Sequence, residues 1–293
     1  MLDSLPTENG KLCAAQIDQY WRDGFLFPLQ GLDPQDAAAY RAELETIESK
    51  YLDAGLPLPL NTYKRVNAHL VMPMVDQIAR TPAILDAVEG VLGPDILMFS
   101  GEFFIKEANT TQIVSMHQDL TYWGLGAIDG LVTVWVPLSP ATRASGCMDF
   151  VAGSHKNAIL PHEDTFAENN LLSRGQEVAV NVADADKTAI ELQPGQISLH
   201  HGLTIHGSGP NTSDDRRIAC VIRYIRPDMA PEAGERGNAV LVRGEDRHGN
   251  FDHTPAPHGY FEPDAMALYD EIRVEQSKVM MKGAKGQNDM YSA

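Results

Sequence analysis

Residues 115–120 read Ser-Met-His-Gln-Asp-Leu (SMHQDL). His117 and Asp119 are two apart, so on an extended strand they project from the same face. An imidazole and a carboxylate side by side can fill two adjacent positions on one metal, with a third ligand to come from elsewhere in the chain. A facial triad of two histidines and one carboxylate, with open positions left over, suits non-haem Fe(II) and oxygen chemistry. The tripeptide alone is weak. The chain has ten histidines, and any one of them reads first as a surface or hydrogen-bonded core residue.

The sequence around this segment is short, β-rich and punctuated by Gly, Pro, Asn and Asp. Strands are predicted at 96–106, 113–117, 131–138, 147–151, 177–182, 189–192, 197–201 and 217–226. This many short strands after a helical lead-in predicts a mainly β fold, a two-sheet jelly roll or barrel. The lead-in covers about 11–93. A helix is predicted over 33–53, with Asp33 as cap, Pro34 at the first helical position and Gly55 as a stop. A second helical stretch, 75–92, is split at Thr81-Pro82, with Thr81 as cap. The jelly-roll core is expected over about 95–226. Residues 227–252 read as a Gly- and Arg-rich loop, and 263–282 as a closing helix, so that 1–293 forms one domain.

Composition narrows the function. With 40 acidic against 23 basic residues, the formal net charge is −17, which argues against nucleic acid or an anionic membrane surface as a partner. The three cysteines, Cys13, Cys147 and Cys220, form no metal or redox motif and fit a reducing compartment. The N-terminus carries no apolar signal segment, and no apolar run nears the roughly 20 residues that span a bilayer. A cytoplasmic protein is expected.

A second segment, His206-Gly-Ser-Gly-Pro-Asn211, is followed by Arg216 and Arg217 at the head of an apolar strand. Taken together, MHQDLTYWG (116–124), the glycine-to-histidine run 146–155 and HGSGPNTSDDRR (206–217) resemble the phytanoyl-CoA dioxygenase-like family of Fe(II)- and 2-oxoglutarate-dependent oxygenases. The resemblance spans roughly 67–226 and includes the eleven-residue step from His206 to Arg217. It implies a double-stranded β-helix, a cupin-like jelly roll with flanking helices. It also implies His117, Asp119 and His206 as the iron ligands, with Fe(II), 2-oxoglutarate and O2 as the reaction's requirements. Two neutral imidazoles and one carboxylate leave three metal positions for a bidentate 2-oxo acid and oxygen. Arg217 matches the arginine that pairs with the distal carboxylate of the cosubstrate, a task suited to a bidentate guanidinium. Ser208 matches a hydroxyl beside it. Trp135 stands where relatives place a tryptophan against the cosubstrate, although plain core packing explains it equally well. Arg65 falls near the place of a base that meets the 1-carboxylate, while Lys64 and Arg65 together also read as solvated loop residues. Arg216 is expected to pair with Asp214 or Asp215.

The implied reaction is oxidative decarboxylation of 2-oxoglutarate to succinate and CO2 with hydroxylation of an unactivated C–H bond. Related halogenases lack the carboxylate that Asp119 supplies, which favours hydroxylation. Tyr122 and Trp123 follow the ligand pair and are candidates for the substrate wall, able to hold an apolar chain or a cationic headgroup. Asn67 and His69 are candidate polar contacts at the mouth. These residues point to a small polar or zwitterionic metabolite, for example an aminoalkylphosphonate. An acyl-CoA or natural-product substrate remains open, as do a zinc hydrolase and a non-catalytic cupin-like binding protein; Arg217 and Ser208 have no role in the zinc reading. His200 and His201 read as groups orienting a ligand or as strand-end residues facing opposite sides. His248, His253 and His258 read as solvated or as part of a loop over the site.

Overall fold

The computed structural model describes residues 3–7, 10–121, 123–126, 129–165, 167, 169–172, 175–179, 182–232 and 234–280. Among the described residues six α-helices flank two mainly antiparallel sheets. They are α1 (Ala14–Asp23), α2 (Pro34–Tyr51), α3 (Leu60–Arg65), α4 (Pro73–Ala79), α5 (Pro82–Leu92) and α6 (Pro263–Met280). Helix α2 starts as its sequence dictates: the Asp33 side chain accepts from the Gln35 N–H at 2.8 Å, and Pro34 takes the first helical position. It stops at Tyr51, ahead of Gly55. Thr81 occupies the cap position of α5 without a side-chain cap bond; its hydroxyl lies 3.5 Å from the Gln77 carbonyl instead. No helix among the described residues is long and apolar enough to cross a membrane.

The larger sheet has seven strands. In spatial order they are β1 (Phe25–Gln30), β9 (Gln196–His201), β4 (Leu131–Pro137), β11 (Arg217–Ile225), β2 (Ile96–Lys106), β12 (Gly237–Arg243) and β13 (Phe251–His253). The smaller sheet runs β3 (Val114–His117), β10 (His206–Ser208), β5 (Met148–Val151) and β8 (Lys187–Ile190). A side hairpin pairs β6 (His162–Asp164) with β7 (Gln176–Val178). This is the expected double-stranded β-helix, with one correction. The stretch 227–252, read as loop, contributes β12 and nearly all of β13 to the large sheet, and β1 joins its other edge from the helical lead-in.

Strand period decides what faces the site. β11 is buried along its whole length. Ile218, Cys220, Ile222 and Tyr224 pack towards the helices, in the main core with Val132, Val134 and Val136 of β4. The alternate residues Arg217, Val221 and Arg223, with Thr133 and Trp135 of β4, face the space between the sheets. A near-continuous apolar run is what a strand covered on both sides requires, and the two arginines within it are the exceptions that mark the cavity.

Candidate metal and cosubstrate site

β3 and β10 are neighbours in the small sheet, and their register sets His206 opposite His117. Asp119 opens the 3-10 turn Asp119–Thr121 that follows β3. One ligand atom from each of His117, Asp119 and His206 lies within 4.8 Å of the other two, and all three residues are buried. Both imidazoles are oriented the same way. His117 Nδ1 lies 2.9 Å from the Ser115 carbonyl, and His206 Nδ1 lies 2.9 Å from the Thr204 carbonyl. Each bond fixes the proton on Nδ1 and turns the Nε2 lone pair towards Asp119, whose Oδ1 is 3.5 Å from His117 Nε2 and 3.9 Å from His206 Nε2. Burial, with the neighbouring His117 ring, holds His206 well below the usual imidazole pKa, so it is a neutral ligand. Burial works to raise the Asp119 pKa, but Arg223 and the rings of His117 and His200 outweigh it and hold the carboxyl well below the usual range. The other carboxylate oxygen, Oδ2, accepts from the Thr133 hydroxyl at 2.8 Å, with His200 Nε2 at 3.6 Å and Arg223 Nε at 3.8 Å. One oxygen is held by the protein and one is turned to the histidines. The donor set, two imidazoles and one carboxylate within reach of one point, fits Fe(II).

The same cavity reaches Trp135, Ser208 and Arg217. Arg217 is fully buried, and its Nη1 donates to the Gly146 carbonyl at 2.5 Å, with Ser208 Oγ at 3.4 Å. Its guanidinium sits 5.5 Å from the centre of the Trp135 ring. Burial, with Arg65 adding like-charge repulsion, lowers its pKa to about 10. Among the described residues it makes no ion pair, and its buried Nε has no hydrogen-bond partner. A buried guanidinium with an unmet donor is a fit for an anionic ligand, and the carboxylate of a 2-oxo dicarboxylic acid is one. Gly146 supplies the carbonyl from a left-handed turn (φ 69°), where a Cβ would come within 2.5 Å of the carbonyl oxygens of Gly209 and Pro210.

A second, more open pocket adjoins this cavity, and Arg223 lines both. Arg65, Asn67, Glu102, Trp123 and Gln276 are among its lining residues. Arg65 lies over Phe104, 4.0 Å from the ring centre, and donates to the Leu171 carbonyl at 2.7 Å. Asn67 donates to Gln276 on α6 at 2.6 Å. Trp123 stacks under Arg223 at 4.5 Å. Tyr122 lies outside the described residues. His69 lines neither space. Its Nδ1 accepts from the Gly101 N–H at 3.1 Å, and burial lowers its pKa to about 4, which makes it a neutral packing residue rather than a substrate contact.

Several side chains differ from the sequence reading. Lys64 is buried, not solvated, and pairs with Glu48 at 2.5 Å. The Arg216 guanidinium binds Glu48 at 2.8 Å and Glu107 at 2.9 Å rather than Asp214 or Asp215; from Arg216, Asp215 accepts only the backbone N–H, at 2.8 Å, and it pairs with Arg41. His200 faces the metal cavity, while His201, on the other side of β9, meets Asp129 at 3.1 Å. His253 pairs with Asp246 at 3.0 Å. Sequence reading passed over Arg223 and Lys106: Arg223 lies six residues after Arg217 on β11, and Lys106 is the cross-strand partner of Arg217 on β2.

Residues 20–219 match the family described as phytanoyl-CoA dioxygenase (PhyH). A probable phytanoyl-CoA dioxygenase of Caenorhabditis elegans is 26% identical over 180 residues, 59% of this chain and 58% of that protein. A probable alpha-ketoglutarate-dependent hypophosphite dioxygenase of Stutzerimonas stutzeri is 30% identical over 174 residues, 57% of this chain and 58% of that one. The chain thus spans 58% of the length of these two curated relatives. Among solved structures, the apo form of the non-heme monooxygenase ThoJ superposes with a TM-score of 0.82 at 35% identity, covering 91% of this chain and 98% of that one. CytC3 with Fe(II) and alpha-ketoglutarate, at 19% identity and a TM-score of 0.63 over 85% of this chain and 96% of that one, shares the fold. With the family match running from α1 into β11 and enclosing the triad, Ser208 and Arg217, the chain belongs to the phytanoyl-CoA dioxygenase (PhyH) family.

Proposed function

We propose that this protein is an Fe(II)- and 2-oxoglutarate-dependent hydroxylase of a small polar or zwitterionic metabolite. One observation carries the reaction class: across a single buried cavity, the His117–Asp119–His206 group faces Arg217, a buried cation that meets no carboxylate among the described residues. In this reading His117 Nε2, Asp119 Oδ1 and His206 Nε2 hold the iron. Arg217 and Ser208 take the distal carboxylate of 2-oxoglutarate, Trp135 walls it, and Arg65 serves the 1-carboxylate. When bound, iron and 2-oxoglutarate supply dioxygen activation coupled to release of succinate and CO2, and with it hydroxylation of a C–H bond. The chain's own part is to orient and to exclude water. The backbone carbonyls of Ser115 and Thr204 turn the imidazole Nε2 atoms to the metal side, Thr133 holds Asp119, and Phe104, Val114, Met148 and Val221 close the cavity with apolar surface.

The substrate reading rests on the adjoining pocket. Its lining mixes cations and carboxylates (Arg223 with Glu102, and Glu275 on α6) with the aromatic faces of Phe99 and Trp123. A molecule carrying both charges finds partners there, and Asn67 and Trp123, which line the pocket, support a reading of both as substrate contacts. The three free cysteines fit a reducing, cytoplasmic setting.

Anaerobic addition of Fe(II) and then 2-oxoglutarate is expected to give a weak visible charge-transfer band. A panel of zwitterions, amino acids, aminophosphonates and acyl-CoA esters, read by succinate release, then identifies the substrate. Absence of the band would overturn the reaction class. Turnover by acyl-CoA esters alone would overturn the substrate class and leave the chemistry standing.

A further inference from the structure

Lys106 ends β2, and the antiparallel register with β11 sets it directly opposite Arg217. It is fully buried. Its Nζ donates to Ser208 Oγ at 2.7 Å, to the Ser208 carbonyl at 3.3 Å and to the Gly209 carbonyl. Lys106 and Arg217 therefore converge on one hydroxyl, and among the described residues neither makes an ion pair. We propose that Lys106 is a second cation of the distal-carboxylate subsite, acting through the Ser208 hydroxyl, and that binding of a dicarboxylate is accompanied by uptake of one proton from solvent at Lys106 Nζ. The proposal rests on the assignment of Arg217 to that carboxylate.

The geometry gives Lys106 a positioning role. Its Nζ does not line the cavity, whereas Ser208 and Arg217 do. An ammonium donating to Ser208 Oγ leaves the hydroxyl proton free to be donated to a ligand oxygen in the cavity. Three acceptors around Nζ suit the charged form. Against it stand burial and the facing Arg217, which lower its pKa to about 6, opposed by Cys147, just before β5, and Asp149 on β5. The balance is close enough to neutrality of pH for an arriving anion to decide it. The sign follows from linkage. A ligand that favours the ammonium raises the Lys106 pKa, so its affinity is full at low pH and falls as pH rises above about 6, by up to about tenfold per pH unit.

The test titrates 2-oxoglutarate into Fe(II)-loaded protein under argon between pH 6 and 8.5, following the visible band. The wild type is expected to lose about tenfold or more in affinity across that range. 2-Oxobutyrate, which keeps the 2-oxo acid and lacks the distal carboxylate, is expected to bind with little pH dependence and so corrects for titration elsewhere. Lys106→Met should bind 2-oxoglutarate more weakly and without the pH slope, while Lys106→Arg, permanently charged, should bind tightly and without it. A wild-type profile as flat as that of 2-oxobutyrate overturns the proposal without recourse to any variant. So does a slope that persists in Lys106→Met. If Arg217→Ala abolishes binding while Lys106→Met binds like the wild type, the carboxylate subsite stands and the role of Lys106 falls. If Arg217→Ala also binds normally, the assignment of the subsite itself is wrong.

Discussion

Asp119 keeps its two oxygens in different surroundings, and that difference is the most specific feature of the site. Oδ1 faces the two imidazoles, whereas Oδ2 is occupied by Thr133. A carboxylate pinned by one oxygen cannot swing to chelate, so Asp119 would offer a bound metal one oxygen only. Thr133→Val removes the 2.8 Å bond at nearly constant shape. Iron affinity is expected to fall by roughly 10–100-fold with the melting temperature little changed, as read by competition with a chelator. Unchanged affinity would show that His200 and Arg223 hold the carboxylate without help. For Arg217→Ala, loss of a charge pair to a desolvated carboxylate is on the order of 2–5 kcal/mol, so the 2-oxoglutarate requirement should rise at least about 30-fold with iron content intact. His117, Asp119, His206, Ser208 and Arg217, which the fold brings to one cavity, could be singled out in the sequence because each lies in a short motif with fixed spacing. Arg223 and Lys106 could not, because what makes them special is inward phase and cross-strand register, and those follow only once β2, β4 and β11 are known to be neighbours. His69 misled for the opposite reason: a polar residue near the mouth in sequence is turned inward by the 3-10 turn Ala68–Leu70 and bonded to β2.

Glu48 shows how elements far from the iron site set its geometry. From α2 it binds Lys64 of α3 and Arg216 at the head of β11. The next residue along each of those segments is a proposed cosubstrate base, Arg65 and Arg217. One carboxylate thus ties together the two segments that aim the proposed cosubstrate bases. Burial works against its charge, yet Arg216 and Lys64 keep its pKa below the usual value. Glu48→Gln should weaken 2-oxoglutarate binding by about threefold to tenfold, the effect of roughly 1 kcal/mol in a half-buried network, and leave iron binding as it was. If iron affinity fell in parallel, the change would be a general loosening of the fold rather than of these two segments. Legibility at this scale followed local signal strength. β2 was read to its exact ends, Ile96 and Lys106, because a long run of β-formers is bounded by Asp95 and Glu107. β12 and β13 were missed because Gly, Arg and Asp dilute a short strand, and its pairing with β2 and Met98 lies far away in sequence. β1 was hidden by the helices on either side of it.

Over the whole molecule, an acidic net charge coexists with a few bases placed in the interior. The chain carries 40 acidic and 23 basic side chains, a formal −17. Four of its bases, Arg65, Lys106, Arg217 and Arg223, are nevertheless buried around the two cavities. The field that an approaching ligand meets first is negative. The wider pocket does not reverse it, since Arg65, Arg223 and Arg236 are matched there by Glu102, Glu235 and Glu275. The attraction that holds a dianion is therefore short-ranged and buried, whereas the repulsion that delays its arrival is long-ranged and exposed. Salt separates the two, because the Debye length falls to about 10 Å at 0.1 M and buried pairs are screened far less. The association rate of 2-oxoglutarate with the Fe(II)-loaded protein is accordingly expected to rise, by about twofold or more, between roughly 10 mM and 150 mM ionic strength, with the dissociation rate little changed. Stopped-flow measurement of the visible band under argon gives both rates. A monoanionic 2-oxo acid should show a smaller rise, because the repulsion scales with ligand charge. A fall in association rate with salt would mean that the buried arginines project their field through the mouth, and that the protein steers its cosubstrate inward despite its net charge.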